Sequence, residues 1–330
     1  MKELIITDYL SKENCNCLKA IFAIAVMVAH MFAFHPFGVE FGFGPIITAF
    51  GYLSVSFFLF FSGYGLTYSY LNKGESYFDG YFKNRVLPIY IENSILIVIY
   101  TCFQTVVGYE ISTLQFVKSF FIGGTVVRYG WYIQAIILFY IFYCIAFRKK
   151  TVSQGLSRLI ILVSSYCVVF AFLIKSGSWW YESSFSFVLG AIWAINKSKI
   201  DLFITKSFKR YIICFMMLLS CFAVSFVFGN AGFVTSIFKI PVKMISSVLF
   251  VPLILLIIMK IKVNYKPIEI LGNYYFEIYI LQGIYIILFT EVVVINNSIF
   301  FYVACIFCTV FSAILLHPAI VWINKKCKGG

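Results

Sequence analysis

The chain has 330 residues, of which 62% are apolar in the broad sense, 20% aromatic and only 12% charged, and its mean hydropathy is +0.95. A soluble domain carries closer to half apolar residues and about a quarter charged; a chain this apolar would lack the polar surface to cover its core, and the same numbers exclude disorder. What is left is an all-α polytopic membrane protein, for which ten spans of about twenty residues use about 200 apolar positions.

In a soluble protein the net charge of +13 would point to nucleic acid. In a membrane chain Lys and Arg orient the loops, so no nucleic-acid partner is expected. The ten cysteines fall mostly inside apolar runs, where Cys packs as a small hydrophobe. Cys15 and Cys17 form a C-x-C without a second pair at ligand spacing, so neither a disulfide scaffold nor a metal site is expected. The polar opening to Cys17 and the lack of a small-residue cleavage site after the first apolar run predict no cleavable signal peptide.

In chain order the apolar runs predict spans at Leu18–Phe34, Ile46–Tyr68, Pro88–Val107, Trp131–Phe147, Arg158–Ile174, Trp179–Ile195, Tyr211–Phe228, Met244–Ile261, Tyr274–Val294 and Phe300–Ile320. The sixth is the weakest, because Glu182 and its neighbouring serines dilute its first half. Charge supports keeping it. With ten spans and the N-terminus inside, the inner segments collect 21 of the 26 basic residues, from Lys2, Lys12 and Lys19 through Lys260, Lys262 and Lys266 to Lys325, Lys326 and Lys328. Omitting the sixth span turns the majority outward, against the positive-inside rule. The expectation is therefore ten transmembrane helices, both termini cytoplasmic, in one membrane domain over 1–330. No hydrophilic stretch is long enough for a second domain, and no internal repeat is visible. Any chemistry must come from span interiors and short loops.

An ionisable side chain inside a span is costly and points to function. His30 lies slightly beyond mid-depth on the first span, and Lys19 precedes it by eleven residues. At ~100° per residue these share one helical face, separated by ~16 Å along the axis. A buried His satisfied by a backbone carbonyl, with Lys19 snorkelling, is the plain alternative. His35 falls at the outer end of the same span and His317 near the inner end of the last. Glu92 is spaced from Arg85 for a local ion pair. Glu277, early in the ninth span, is a candidate to orient His30 or to meet a substrate hydroxyl.

Phe57, Phe58, Phe60 and Phe61 lead into Ser62-Gly63-Tyr64-Gly65, where small residues allow close helix packing or admit a thin substrate arm. Lys19, Lys83 and Arg85 gather at the predicted inner face. There they either follow ordinary loop charge or hold an anionic ligand such as a nucleotide phosphate. Trp131, Trp179 and Trp180 stand at the predicted outer boundary, as interfacial anchors or as platforms for a sugar ring.

Taken together these residues resemble the acyltransferase-3 family of integral-membrane enzymes, which move acyl groups from acyl-CoA onto carbohydrates. Lys19 and His30 match the family's opening basic residue and His, with Lys where Arg is usual. Phe57 to Tyr64 match its aromatic run into Ser-Gly-aromatic, and Lys83 to Pro88 its basic stretch before a proline. Trp131 matches its central Trp, Phe185 to Gly190 its Phe-rich segment ending in Leu-Gly, and Gly272 to Tyr279 its Glu-Ile-Tyr stretch. Phe82 replaces a frequent Arg, Gln134 a Glu of the polymer-modifying branch, and Gln282 a frequent His.

The resemblance implies a plasma-membrane O-acyltransferase of ten spans that uses cytosolic acyl-CoA, acetyl-CoA by family default, as donor substrate with no bound cofactor. His30 would act as general base or acyl carrier, and Lys19, Lys83, Arg85, Ser62 and Gly63 would receive the acyl-CoA. Trp131, Trp179, Trp180 and Glu277 would meet the acceptor, a hydroxyl of a cell-surface or lipid-linked carbohydrate, or orient the reacting groups. The partners are thus acyl-CoA, the carbohydrate and the bilayer, with a homo-oligomer left open. The alternative from another class is a transporter of a glycan or small anion with His30 as proton relay. Transporters of that kind show internal repeats and broken spans in matching halves, which this chain lacks.

Overall fold

The computed structural model describes residues 8–230, 234–261, 263 and 265–328. Lys2 and Lys262, counted above among the inner basic residues, lie outside the described residues. Those described are all-helical, without strands. In chain order the helices are α1 Lys12–Phe32, α2 Gly44–Lys73, α3 Leu87–Val106, α4 Thr113–Ser119, α5 Trp131–Phe147, α6 Val152–Val168, α7 Phe185–Thr205, α8 Phe208–Asn230, α9 Ser236–Ile258, α10 Lys266–Leu271, α11 Tyr275–Ile287 and α12 Ser298–Cys327. Counted through the 3₁₀ and π turns that extend them, eight helical segments among the described residues are long and apolar enough to cross a membrane: Lys12–Phe32, Gly44–Phe78, Phe82–Val106, Val152–Leu173, Phe208–Asn230, Phe238–Ile258, Lys266–Val292 and Ser298–Cys327; α5, at 17 residues, is apolar but shorter.

The sixth predicted span differs from what forms. Ser178–Trp180 make a short 3₁₀ turn, and the helix starts at Phe185, so Trp179, Trp180 and Glu182 sit in the connection before it. Its later turns carry Lys197, Lys199 and Asp201, which is why it is not among the eight apolar helices. A 17-residue α5 still meets the lower limit for a crossing.

The chain packs as two compact units. One comprises Met1–Phe22, Tyr52–Tyr77 and Ile145–Gly272; the other comprises Ala23–Gly51, Phe78–Cys144 and Asn273–Gly330. In the first, α2 and α7 meet backbone to backbone. A Cβ on Gly63 would lie 2.0 Å from the Phe187 carbonyl oxygen, and one on Gly190 would lie 2.2 Å from that of Phe60. Glycine permits such an approach between membrane helices. Within the same unit Tyr9 donates to Asp201 at 2.7 Å and receives the Trp193 indole N–H at 3.1 Å.

The second unit is built on α3, α5, α11 and α12, with the later turns of α1. Its core includes Met27, Met31, Ile286, Phe301 and Cys305, all fully buried, with Phe34, Tyr129 and Tyr285 packed against them. The Tyr100 hydroxyl of α3 donates to the Ile280 carbonyl of α11 at 2.6 Å, a buried bond that fixes the two helices in register.

Candidate functional site

His30 is on the last turns of α1, in the second unit. Its Nδ1 lies 3.1 Å from Oε1 of Gln282 on α11. The Gln282 amide N–H in turn donates to the Tyr279 carbonyl, one turn earlier. That second bond decides which way the amide faces. Its oxygen is therefore the atom presented to His30, and an amide oxygen only accepts. The arrangement puts a hydrogen on Nδ1, which donates to Gln282, and leaves the Nε2 lone pair available. The ring is only half-buried.

The imidazole is also clamped flat. The Tyr129 ring stacks on it with centroids 3.7 Å apart and an interplanar angle of 2°. Tyr279 tilts towards it at 6.4 Å and itself meets Tyr132 edge-on at 5.2 Å. Tyr129 holds this place with a φ of 67°, left-handed backbone that a bulky side chain adopts only when its surroundings impose it.

The loop that carries Tyr129 is pressed onto α11. A Cβ on Gly283 would lie 2.5 Å from the Tyr100 hydroxyl and 2.8 Å from Arg128 Cβ. The glycine beside Gln282 thus lets the loop reach the helix. Arg128 completes the surroundings. Its guanidinium lies 5.1 Å over the Phe34 ring and 6.0 Å from that of Tyr129, and it pairs with Glu291 at 3.5 Å. Tyr109, in the loop after α3, donates to the same Glu291 carboxylate.

Glu277, expected as a partner for His30, is instead buried against His317, whose Nδ1 donates to its carboxylate. Glu277 acts electrostatically on Glu92 of α3. His35 belongs to the outer end of α1, its Nδ1 3.4 Å from the Ser298 hydroxyl and its ring 4.3 Å from that of Phe301.

The other residues singled out from sequence fall as follows. Lys83 and Arg85 lie exposed on a π-helical turn, Phe82–Val86, that runs into α3, with Pro88 in its first turn. Such turns bulge a helix and recur at functional positions. Lys19 is half-buried on α1, its ammonium 6.0 Å from the Phe61 ring centroid of α2. Gly63 is packed on α7, while Ser62 beside it keeps exposed surface. Trp131 opens α5. Trp179 is exposed, and Trp180 stacks on Phe170 with centroids 5.0 Å apart.

Sequence reading found His30 but not what holds it. Tyr129 gave no signal, because a left-handed tyrosine in a loop has no sequence signature. Gln282 did: an amide inside an apolar span, followed directly by a glycine. Among the described residues no cluster of His, Cys, Asp and Glu could hold a metal ion.

Against known proteins, the chain matches a family described as an acyltransferase domain, over residues 13–317 of its 330. No curated protein and no solved structure matches it.

Proposed function

Because the chain belongs to the acyltransferase-3 family, an acyltransferase of the membrane, we propose that it transfers an acyl group, acetyl in the first instance, from acyl-CoA to a carbohydrate hydroxyl, with His30 at the reacting centre. The observation that carries this reading is the His30 ring itself: Nδ1 bonded to Gln282 at 3.1 Å, the face covered by Tyr129, and Nε2 left as the free lone pair.

A sugar hydroxyl is a poor nucleophile near neutral pH, and a positioned base that takes its proton in the transition state is worth roughly 10²–10⁴-fold. Imidazole, with an unperturbed pKa of ~6.5, suits that task. In the direct route the hydroxyl oxygen attacks the thioester carbonyl while Nε2 takes its proton. The carbon–sulfur bond then breaks, and the proton passes from Nε2 to the departing CoA sulfur. In the covalent route Nε2 attacks the carbonyl and carries the acyl group as acyl-imidazole. The hydroxyl then takes the acyl group, and its proton balances the CoA thiolate released earlier. Both end in an ester and CoA thiol.

Lys19, Lys83 and Arg85 are assigned to the CoA phosphates and Ser62 to the donor's path, with Gly63 beside it taken up by the Phe187 carbonyl. Trp131, Trp179 and Trp180 are assigned to the acceptor's side, whereas Glu277, held by His317, is assigned an orienting role. We keep ten crossings of the plasma membrane with both termini cytoplasmic, α5 and α7 adding to the eight apolar helices. This lets a cytosolic donor serve a cell-surface or lipid-linked sugar. The test is mass spectrometry of surface glycans from cells with and without the gene. Loss of an acetyl increment is expected; an unchanged pattern together with glycan movement across membranes, without covalent change, would overturn the reading.

A further inference from the structure

Within the first unit, α7, α8 and α9 line an open cavity of about 690 Å³, a volume typical of ligand sites. None of its lining residues belongs to the set around His30. Trp193, Phe203, Leu218 and Pro252 form its walls, and Cys214 stands on its α8 side. The lining is almost wholly apolar, and Lys199 is its one charged residue.

The charge on α7 is divided in a telling way. Lys197 is held by Asp201 at 2.8 Å, and Tyr9 donates to that same carboxylate at 2.7 Å. Lys199, two residues on, points to a different face and forms no ion pair among the described residues. The lining continues through Ile204, in the last turn of α7. Lys206, Lys209 and Arg210 follow directly, so this end of the cavity carries excess positive charge. Phe203 and Met217, both on the lining, are 56% and 64% exposed. The cavity is therefore open along one side, where the membrane can reach it.

An apolar cavity with an unpaired ammonium at its polar end suits a hydrocarbon chain with an anionic head. Lys199 is exposed, so a neutral apolar molecule would leave its ammonium to solvent and gain nothing from it, and a zwitterionic lipid would bring its own cation against it. We propose that this cavity binds an anionic glycerophospholipid, one acyl chain running along Trp193, Phe203 and Leu218 and the phosphate resting on Lys199.

The test uses the full chain purified in detergent, with dioctanoyl-phosphatidylglycerol as probe and dioctanoyl-phosphatidylcholine as comparison. Alkylation of Cys214 by N-ethylmaleimide is followed by peptide mass spectrometry. Cys327, exposed and outside the lining, serves as internal control. The phosphatidylglycerol should slow Cys214 alkylation saturably and leave Cys327 unchanged. Lys199→Gln should raise the half-protecting concentration about tenfold or more, as loss of a charge-assisted contact does. As a second measurement, Cys214→Trp, which puts an indole across the path of the acyl chain, should abolish any rise in unfolding temperature caused by the lipid. Equal protection by the two lipids, indifference to Lys199→Gln, or a lipid-induced rise that survives Cys214→Trp would each overturn the site.

Discussion

Gln282→Leu is the substitution that separates an oriented imidazole from one that is merely present. Leucine is similar in size, so α11 should pack as before, but the 3.1 Å bond to His30 Nδ1 is lost. Two things follow. The Nδ1 hydrogen becomes a buried donor without an acceptor, which costs ~1–3 kcal/mol. The ring is then free to carry its hydrogen on Nε2 instead, which removes the lone pair that reacts. At 1.36 kcal/mol for each factor of ten in rate, kcat should fall about 5- to 150-fold. Losing the orienting carboxylate of a catalytic imidazole costs up to ~10⁴. The loss here is smaller because the lost partner is neutral and Tyr129 still holds the ring plane at 3.7 Å. The assay is CoA-thiol release from acetyl-CoA by membranes containing the enzyme and the glycans of its own cell, with kcat and KM for acetyl-CoA determined separately. KM should stay close to the parent value. If Gln282→Leu keeps its rate within twofold while inserted and folded, Gln282 does not position His30 and the tautomer argument fails.

Three further outcomes are expected. Tyr129→Phe should keep both stack and activity, whereas Tyr129→Ala should lower kcat roughly two- to tenfold, the worth of one aromatic stack, in the same thiol-release assay. Gly283→Ala should destabilise the protein by ~1–3 kcal/mol, because the new methyl would lie 2.5 Å from the Tyr100 hydroxyl and 2.8 Å from Arg128 Cβ; thermal unfolding in detergent measures this. Lys83→Gln with Arg85→Gln should weaken acetyl-CoA binding more than tenfold, at ~1.5–3 kcal/mol for a charge-assisted contact, without affecting insertion; unchanged affinity in a folded protein would leave these residues to loop orientation alone.

How much was legible in the sequence varies with the physics involved. The helices follow from runs of apolar residues, because the bilayer requires every backbone group to be bonded within its own helix. The weak sixth span exposes the limit of that reasoning. In an apolar window Glu182 and the serines only dilute a span, whereas the helix begins after them at Phe185. A window of mean hydropathy does not register where a turn stops and a helix starts. His30 stood out because an imidazole inside an apolar run is costly. Its pairing did not: Gln282 is visible as an amide in an apolar span but bonds His30 across 252 residues, and Tyr129 comes from a loop with left-handed backbone. Glu277 was the natural sequence candidate to orient His30, being the acid of a recognisable stretch; its carboxylate bonds His317 instead. Gly63 shows the same limit in another form. Its smallness was visible, but only the fold shows that the Phe187 carbonyl uses it.

The central claim is that His30 is where the acyl group changes hands. Its most direct test is His30→Ala, measured for labelled acetyl transfer and for acetyl-CoA binding in the same membrane preparation, with His35→Ala beside it. The account predicts that transfer falls by at least ~10²-fold in His30→Ala with acetyl-CoA still bound, while His35→Ala stays substantially active. A correctly inserted His30→Ala protein that acylates at near the parent rate would contradict it and turn attention to the Glu277–His317 pair as the base.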